Sequence, residues 1–236
     1  MKKHKILFFT GAGVSAESGV QTFRNSPDGL WNNYRIEDVC TFEGWEHDPQ
    51  LVLDFYNQRR KQCLEVSPNL AHELIAKLQT EFDVSVVTQN VDNLHERAGA
   101  QHVVHLHGEL LKSRSTIDPT MIYDCQTDIK LGDTCEKGSQ LRPHIVWFGE
   151  MLDETKMYEA KKLAVECDIC VVIGSSMQVY PANSIPHYLS AHAKLIVIDP
   201  AEIYVHTDNA IKGHYIQKTA VEGMKEVYET LMRKFK

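Results

Sequence analysis

The chain has 236 residues, 43% hydrophobic and 24% charged, with a formal net charge of −7. That composition supports a sizeable globular core, and the acidic balance argues against nucleic acid or an anionic membrane surface as the main partner. No apolar run approaches the ~20 residues that span a bilayer, and six scattered cysteines (Cys40, Cys63, Cys125, Cys135, Cys167, Cys170) read as reduced thiols of a cytoplasmic protein.

The basic start runs into a short apolar stretch that stops at Thr10-Gly11, well short of a signal peptide's apolar segment. Lys5–Phe9 reads as a buried strand. Gly11-Ala12-Gly13-Val14-Ser15-Ala16 then fits the G-x-G-x-x-G/A pattern of a strand-to-helix dinucleotide turn. In that pattern the first glycine permits a tight turn and the second lets a pyrophosphate approach the backbone. A small third residue lets the helix pack on the strand with its N–H groups facing the anion. Asn25–Gly44 is turn-rich and breaks the alternation of elements, after which helices are expected at Pro49–Glu65 and Asn69–Thr80.

Strand Val84–Thr88 leads into Gln89, Asn90 and Asp92, just past the carboxyl end of a strand, where α/β proteins place ligands. These side chains suit a sugar or a carboxamide, and Asn90 or Asp92 equally suits a helix N-cap. Strand Val103–Leu106 carries His105, read as structural. His107 at the strand end is placed to take a proton near neutral pH. Lys112–Arg142 is polar with little periodicity, which suggests a lid, a binding loop or a small inserted module.

His144–Phe148 and Asp168–Ile173 read as strands flanking a helix at Asp153–Cys167. Gly174-Ser175-Ser176 forms a second turn suited to phosphate or ribose. After a helix at Pro181–His192, strand Leu195–Ile198 places Asp199 where a carboxylate can meet an adenosine ribose. A short strand at Tyr215–Gln217 and a helix at Ala220–Lys234 close the chain. Continuous apolar strands alternating with helices predict an α/β fold, a Rossmann-like parallel sheet with helices on both faces plus a small inserted domain. The acidic residue expected about 20 residues past the glycines has no strand to sit on, which disfavours a hydride-transfer dehydrogenase.

Five segments in order, "GAGVSAESGV…TFR", "TQNVDNLHERAG", "HLHGEL", "LRPHIVWFGE" and "GSSMQVYPAN", together resemble the sirtuins over nearly the whole chain. "QTFR" and "FYNQRR" resemble the bacterial class III deacylase branch. The resemblance implies a single catalytic domain over 1–236. Its NAD-binding part spans about 1–24, 81–111 and 143–236, and a smaller part is built from about 25–80 and 112–142.

It further implies an NAD-dependent protein-lysine deacylase that removes acetyl and succinyl or malonyl groups, with acylated-lysine proteins as partners. NAD would be held by Gly11, Ala12, Gly13, Ser15, Ala16 and Glu17, and by Phe23 and Arg24 in a loop over the nicotinamide ribose. Gln89, Asn90 and Asp92 would surround that ribose, and Gly174, Ser175, Ser176, Asp199 and Ala220 would line the adenosine half. His107 would be the general base. Val146, Phe148, Gly149 and Glu150 would pair with the substrate peptide by strand addition.

Tyr56 and Arg59, three apart on a helix, would receive the distal carboxylate of an acidic acyl group. Without the resemblance, an exposed arginine beside Arg60 and Lys61 is the simpler reading. Cys40 stands where close relatives of this motif have alanine and would narrow the acyl pocket slightly.

Most sirtuins hold a structural zinc with two C-x-x-C pairs. Here the first pair is replaced by Ser115-Thr116-Ile117-Asp118, and only Cys125 and Cys135 remain, so zinc is expected to be absent. Two other readings compete: ADP-ribose transfer or NAD hydrolysis at the same site, and an NAD-sensing module that has lost catalysis.

Overall fold

The computed structural model describes residues 3–20 and 34–234. The expected cofactor residues Phe23 and Arg24 lie outside the described residues.

β1 (Lys5–Thr10) sends Ile6 and Phe8 into one buried cluster and Leu7 and Phe9 into another, as a strand covered on both faces requires. It ends in α1 (Gly13–Ala16), a single turn. Next come α2 (Ile36–Val39), α3 (Phe42–His47) and α4 (Pro49–Glu65). Asp48 starts α4 by accepting the Leu51 N–H, with Pro49 in the first turn. α5 (Leu70–Lys77) opens on a reciprocal cap between Asn69 and His72. The chain continues through β2 (Asp83–Thr88), α6 (Leu94–Arg97), β3 (Val103–His105), β4 (Gly108–Ser115), β5 (Ile122–Asp124) and β6 (Leu141–Ile145). It finishes with α7 (Glu154–Glu166), β7 (Ile169–Ile173), β8 (Lys194–Ile198), β9 (His214–Ile216) and α8 (Ala220–Lys234).

The main sheet is six-stranded in the order β3-β2-β1-β7-β8-β9, and every neighbouring pair is parallel. α5 and α8 contribute to the cluster on one face, and α7 with a 3-10 segment at Ala182–Tyr188 to the other. α8 packs close on β8: a Cβ on Gly223 would lie 2.3 Å from Ile198 Cγ2. The chain builds outward from β1 to β2 and β3, then resumes on β1's other side at β7. The crevice beyond the carboxyl ends of β1 and β7 is therefore the topological switch point, where such sheets bind ligands. A smaller antiparallel sheet, β5-β4-β6, packs with α4 on a third cluster that includes Trp45, Tyr56 and Trp147.

Four expectations are corrected. The strand expected at His144–Phe148 is β6 at Leu141–Ile145, and it belongs to the small antiparallel sheet. Its apolar run reads as a sheet interior because Trp147 is buried in the third cluster, not because the strand continues. The helix expected at Pro181–His192 is a 3-10 segment with Pro186 inside it, where the missing N–H stops an α-helix from propagating. The polar stretch Lys112–Arg142 contains the second half of β4 and all of β5. The N-cap position of α6 is Asn93, although Asp92 still caps that turn by accepting the Leu94 N–H.

Candidate active site

Two turns meet at the switch point. Gly11 N–H donates to the Ile173 carbonyl at 3.0 Å and Gly13 N–H to the Gly174 carbonyl at 2.9 Å. A Cβ on Gly13 would stand 2.5 Å from Gly174 Cα, and one on Gly11 would stand 2.7 Å from Gly174 O. Gly174 itself has φ +59. The glycines are thus required first by the packing of turn on turn. The expectation of helix N–H groups aimed at an anion is corrected in part: the N–H groups of Gly11, Gly13, Val14 and Ser15 are all taken within the protein. Ala12 is half-buried and Ala16 is exposed.

Beneath these turns lies a buried polar network. Ser15 Oγ donates to Asp92 Oδ2 at 3.0 Å and accepts from Asn90 Nδ2 at 3.1 Å. His72 Nδ1 accepts the Asn69 N–H, so Nε2 carries the ring proton and points at Ser15 Oγ, 3.4 Å away. His95 Nε2 stands 3.1 Å from Thr10 Oγ1, whose own proton goes to Thr88 Oγ1. Burial pulls His72 down to about 4 and His95 well below its usual value, so both rings are neutral at neutral pH. Burial also raises Asp92, against the Leu94 N–H and the Ser15 hydroxyl, which favour its charged form. Sequence reading missed His72 and His95, because a histidine within a helical pattern carries no signal of its buried partner.

His107 Nδ1 lies 2.9 Å from the Gln89 carbonyl oxygen. A carbonyl only accepts, so Nδ1 holds the proton and Nε2 keeps its lone pair. Burial lowers the pKa of His107, with the Gln89 carbonyl opposing. The Gln89 side chain crosses to Ser175, its Nε2 donating to Oγ at 2.7 Å, and so ties the His107 strand end to the second turn. His105 differs. Its two nitrogens meet the Asn90 carbonyl at 2.9 Å and Glu96 Oε1 at 2.7 Å. Burial works against the charged ring, but Glu96 and the Asn90 carbonyl outweigh it and raise the pKa, consistent with the structural role expected for His105.

On α4, Tyr56 is buried, and its hydroxyl accepts Trp147 Nε1–H at 3.1 Å and stands 3.5 Å from Cys40 Sγ. Arg59 is half-buried with its guanidinium over the Phe55 ring, and it interacts electrostatically with Tyr56, Cys40 and Asp92. Its neighbours go elsewhere: Arg60 turns inward to Leu110 O and Asn57 Oδ1, and Lys61 pairs with Asp128. The simple exposed-arginine reading therefore does not describe Arg59.

Glu150, expected to meet substrate, is held inside the protein. Its carboxylate receives both Arg142 terminal nitrogens at 2.7 and 2.9 Å, Arg114 Nη2 and the Trp147 N–H. Arg142 in turn lies 3.3 Å from the Trp147 ring centroid. The backbone N–H groups of Val146, Phe148 and Glu150 are bonded to the carbonyls of His107, Cys40 and Trp147. Gly149 is exposed at the tip with φ +87, and Phe148 is half-exposed beside it.

Glu17, expected near the cofactor, spends its carboxylate on the start of α8, accepting the Val221 N–H at 2.8 Å and the Thr219 hydroxyl at 3.2 Å. Ala220 buries its side chain in the core. Asp199 is half-buried, accepts the Ala201 N–H and is raised by burial, and Ser176 is exposed. The open groove formed by Lys3, Lys5, Asp83 and His102 lies at the amino ends of β1 and β2, the far end of the sheet from these groups.

The two cysteines left near the small sheet, Cys125 and Cys135, make hydrogen bonds within the protein. Cys125 Sγ donates to Thr127 O at 3.4 Å and Cys135 Sγ to Ser115 Oγ at 3.3 Å. Among the described residues no group of three or more His, Cys, Asp or Glu side chains converges on a metal position, and a structural zinc needs four ligands.

Residues 11–181 match the profile of the Sir2 family. A Bacteroides thetaiotaomicron NAD-dependent protein deacylase is 48% identical over 96% of this chain and 97% of its own length. A Helicobacter pylori protein of the same description is 44% identical over 96% and 97%. Among solved structures, a Sir2 homologue in complex with NAD superposes with TM-score 0.88 at 35% identity, covering 99% of this chain and 91% of that one. Sir2 bound to an inhibitor, 2′-O-acetyl-ADP-ribose and a deacetylated p53 peptide superposes with TM-score 0.77 at 30% identity, covering 96% and 94%.

Proposed function

The chain belongs to the Sir2 family, and we propose that it is an NAD-dependent protein-lysine deacylase that removes acetyl and acidic acyl groups such as succinyl and malonyl. We take the whole chain as one catalytic domain. The observation that carries the reading is the tautomer of His107: with Nδ1 committed to the Gln89 carbonyl, Nε2 is an unprotonated base at the carboxyl end of the sheet.

In this reading NAD and an acyl-lysine peptide are both substrates. The acyl carbonyl oxygen attacks the anomeric carbon of the nicotinamide ribose. The bond to nicotinamide breaks, leaving an imidate between peptide and ADP-ribose. His107 Nε2 takes a proton from a ribose hydroxyl, and that oxygen closes on the imidate carbon. Water completes the release of free lysine and O-acyl-ADP-ribose.

Asn90 and Asp92, fixed by Ser15, hold the nicotinamide end. The turns at Gly11–Gly13 and Gly174–Ser175 carry the phosphates through the backbone groups left outside their mutual bonds. Asp199 serves the adenosine ribose. Ala16, Glu17, Ser176 and Ala220 act by position, with the Glu17 carboxylate serving α8.

The substrate peptide runs beside Val146–Gly149 by strand addition. Glu150 fixes that segment from behind. Tyr56 and Arg59 receive the acyl carboxylate, because a hydroxyl and a guanidinium together match its two oxygens. No step passes through a metal.

A panel of one peptide bearing acetyl-, succinyl- or malonyl-lysine, incubated with NAD and read by mass spectrometry, tests the substrate range. Arg59→Met should depress removal of the two acidic groups and spare acetyl. Equal losses for all three would remove the carboxylate-receptor role.

A further inference from the structure

The Tyr56 hydroxyl has three hydrogen-bonding positions and one proton. One lone pair is taken by the Trp147 indole N–H at 3.1 Å. The Cys40 thiol faces the rest of the group at 3.5 Å. All three side chains are buried, with Cys40 at 6%, Tyr56 at 3% and Trp147 at 2% exposure. Burial raises the pKa of both the phenol and the thiol, so each keeps its proton at neutral pH and either atom can be the donor. Trp147 holds the oxygen in place: its ring is stacked under Arg142, and its backbone N–H is bound by Glu150.

We propose that Cys40 is a specificity-determining residue: its thiol accepts the Tyr56 proton when the pocket holds an uncharged acyl group, and yields that proton to acyl groups that end in a carboxylate. The inference rests on the deacylase reading and on the receptor role of Tyr56 and Arg59. Sulfur is a weak acceptor and a weak donor. A carboxylate therefore displaces it at little cost, and the thiol then turns to donate to the Tyr56 lone pair that Trp147 does not use. An uncharged acyl group leaves the thiol–hydroxyl contact intact, so the buried hydroxyl is satisfied in both states. With alanine at position 40 the hydroxyl proton has no partner until an acidic acyl group arrives, and a buried donor without a partner is costly. Removing the thiol should therefore sharpen the preference for acidic groups.

The test compares kcat/KM for succinyl-lysine and butyryl-lysine peptides, acyl groups of equal carbon count that differ in the terminal carboxylate. Four proteins are used: wild type, Cys40→Ala, Tyr56→Phe, and the double variant. Each ratio is taken on a single protein preparation, so partial loss of folding cancels. Cys40→Ala is expected to raise the succinyl-to-butyryl ratio about fivefold, the factor carried by one modest hydrogen bond. In the Tyr56→Phe background the same change is expected to leave the ratio unaltered.

If both peptides speed up together, or if the shift persists without the Tyr56 hydroxyl, Cys40 acts by volume alone and the proposal fails. If wild type removes butyryl but neither it nor any variant removes succinyl, the receptor reading fails and takes the proposal with it. If no acyl group is removed at all, the deacylase reading itself is wrong.

Discussion

His107 donates from Nδ1 to the backbone carbonyl of Gln89 at 2.9 Å, and the Gln89 side chain donates to Ser175 at 2.7 Å. One residue thus orients the base and ties it to the second glycine turn. Because burial lowers the His107 pKa below 6.5, the free base persists to lower pH than for an ordinary histidine. The acid limb of a kcat/KM profile is expected to break below pH 6.5, and a break above that value would contradict the assignment.

Acid should unfold the protein through its buried histidines. His72 and His144 both stand at about 4 against an ordinary 6.5. Their folded pKa is lowered, so the unfolded chain binds the protons first. Stability is full above 6.5 and falls as pH drops toward 4, by about 1.4 kcal/mol per pH unit for each such group. His105 is raised and contributes the opposite trend, present below 6.5 and lost as pH rises through its folded value. The net expectation is a urea midpoint that holds above pH 6.5 and falls from there toward pH 4. A flat profile over that range would contradict the buried, neutral state of His72 and His144.

Glu150→Gln should loosen the segment beside the peptide. Burial disfavours the Glu150 charge, but Arg142 and Arg114 with the Trp147 N–H prevail and lower its pKa below 4.5. The contribution of this ion pair is therefore complete above pH 4.5 and disappears as pH falls through the lower folded value. Glutamine keeps an acceptor for Trp147 but leaves two arginines without their counter-charge, one of them 4% exposed. A loss of about 2 kcal/mol is expected, discounted for the partial exposure of Glu150, together with a raised KM for peptide. An unchanged KM would mean that the clamp does not position the segment.

Chelation should have no effect. Cys125 and Cys135 are bonded within the small sheet, and that sheet packs with α4 on its own apolar cluster. Incubation with a strong chelator is expected to leave both Tm and deacylation unchanged. A fall in either, with zinc recovered in the chelate, would overturn the metal-free account.

The strands of the main sheet were legible because continuous apolar runs such as Ile169–Ile173 have one physical explanation, burial on both faces. α4 and α8 were legible to the residue, α4 from Pro49 at its start. β4 was not, because its residues Lys112 and Arg114 are long polar side chains on a strand whose central pairing, such as Arg114 with Arg142 on β6, is remote in sequence. In the site, residue types and order pointed to His107, Asn90 and Asp92. Which atoms were already committed did not show. Glu17 and Glu150 read as ligand-facing carboxylates, and only the folded chain reveals that α8 and two arginines hold them. The pairing of Cys40 with Tyr56 across 16 positions was likewise invisible as a hydrogen bond.

The most direct test follows all three products when one acetyl-lysine peptide is incubated with NAD and either wild type or His107→Ala. The account predicts equal amounts of nicotinamide, free peptide and O-acetyl-ADP-ribose from wild type, with the last two lost in the variant. Nicotinamide released by wild type with the acetyl group still on the peptide would contradict it and mark ADP-ribose transfer or NAD hydrolysis instead.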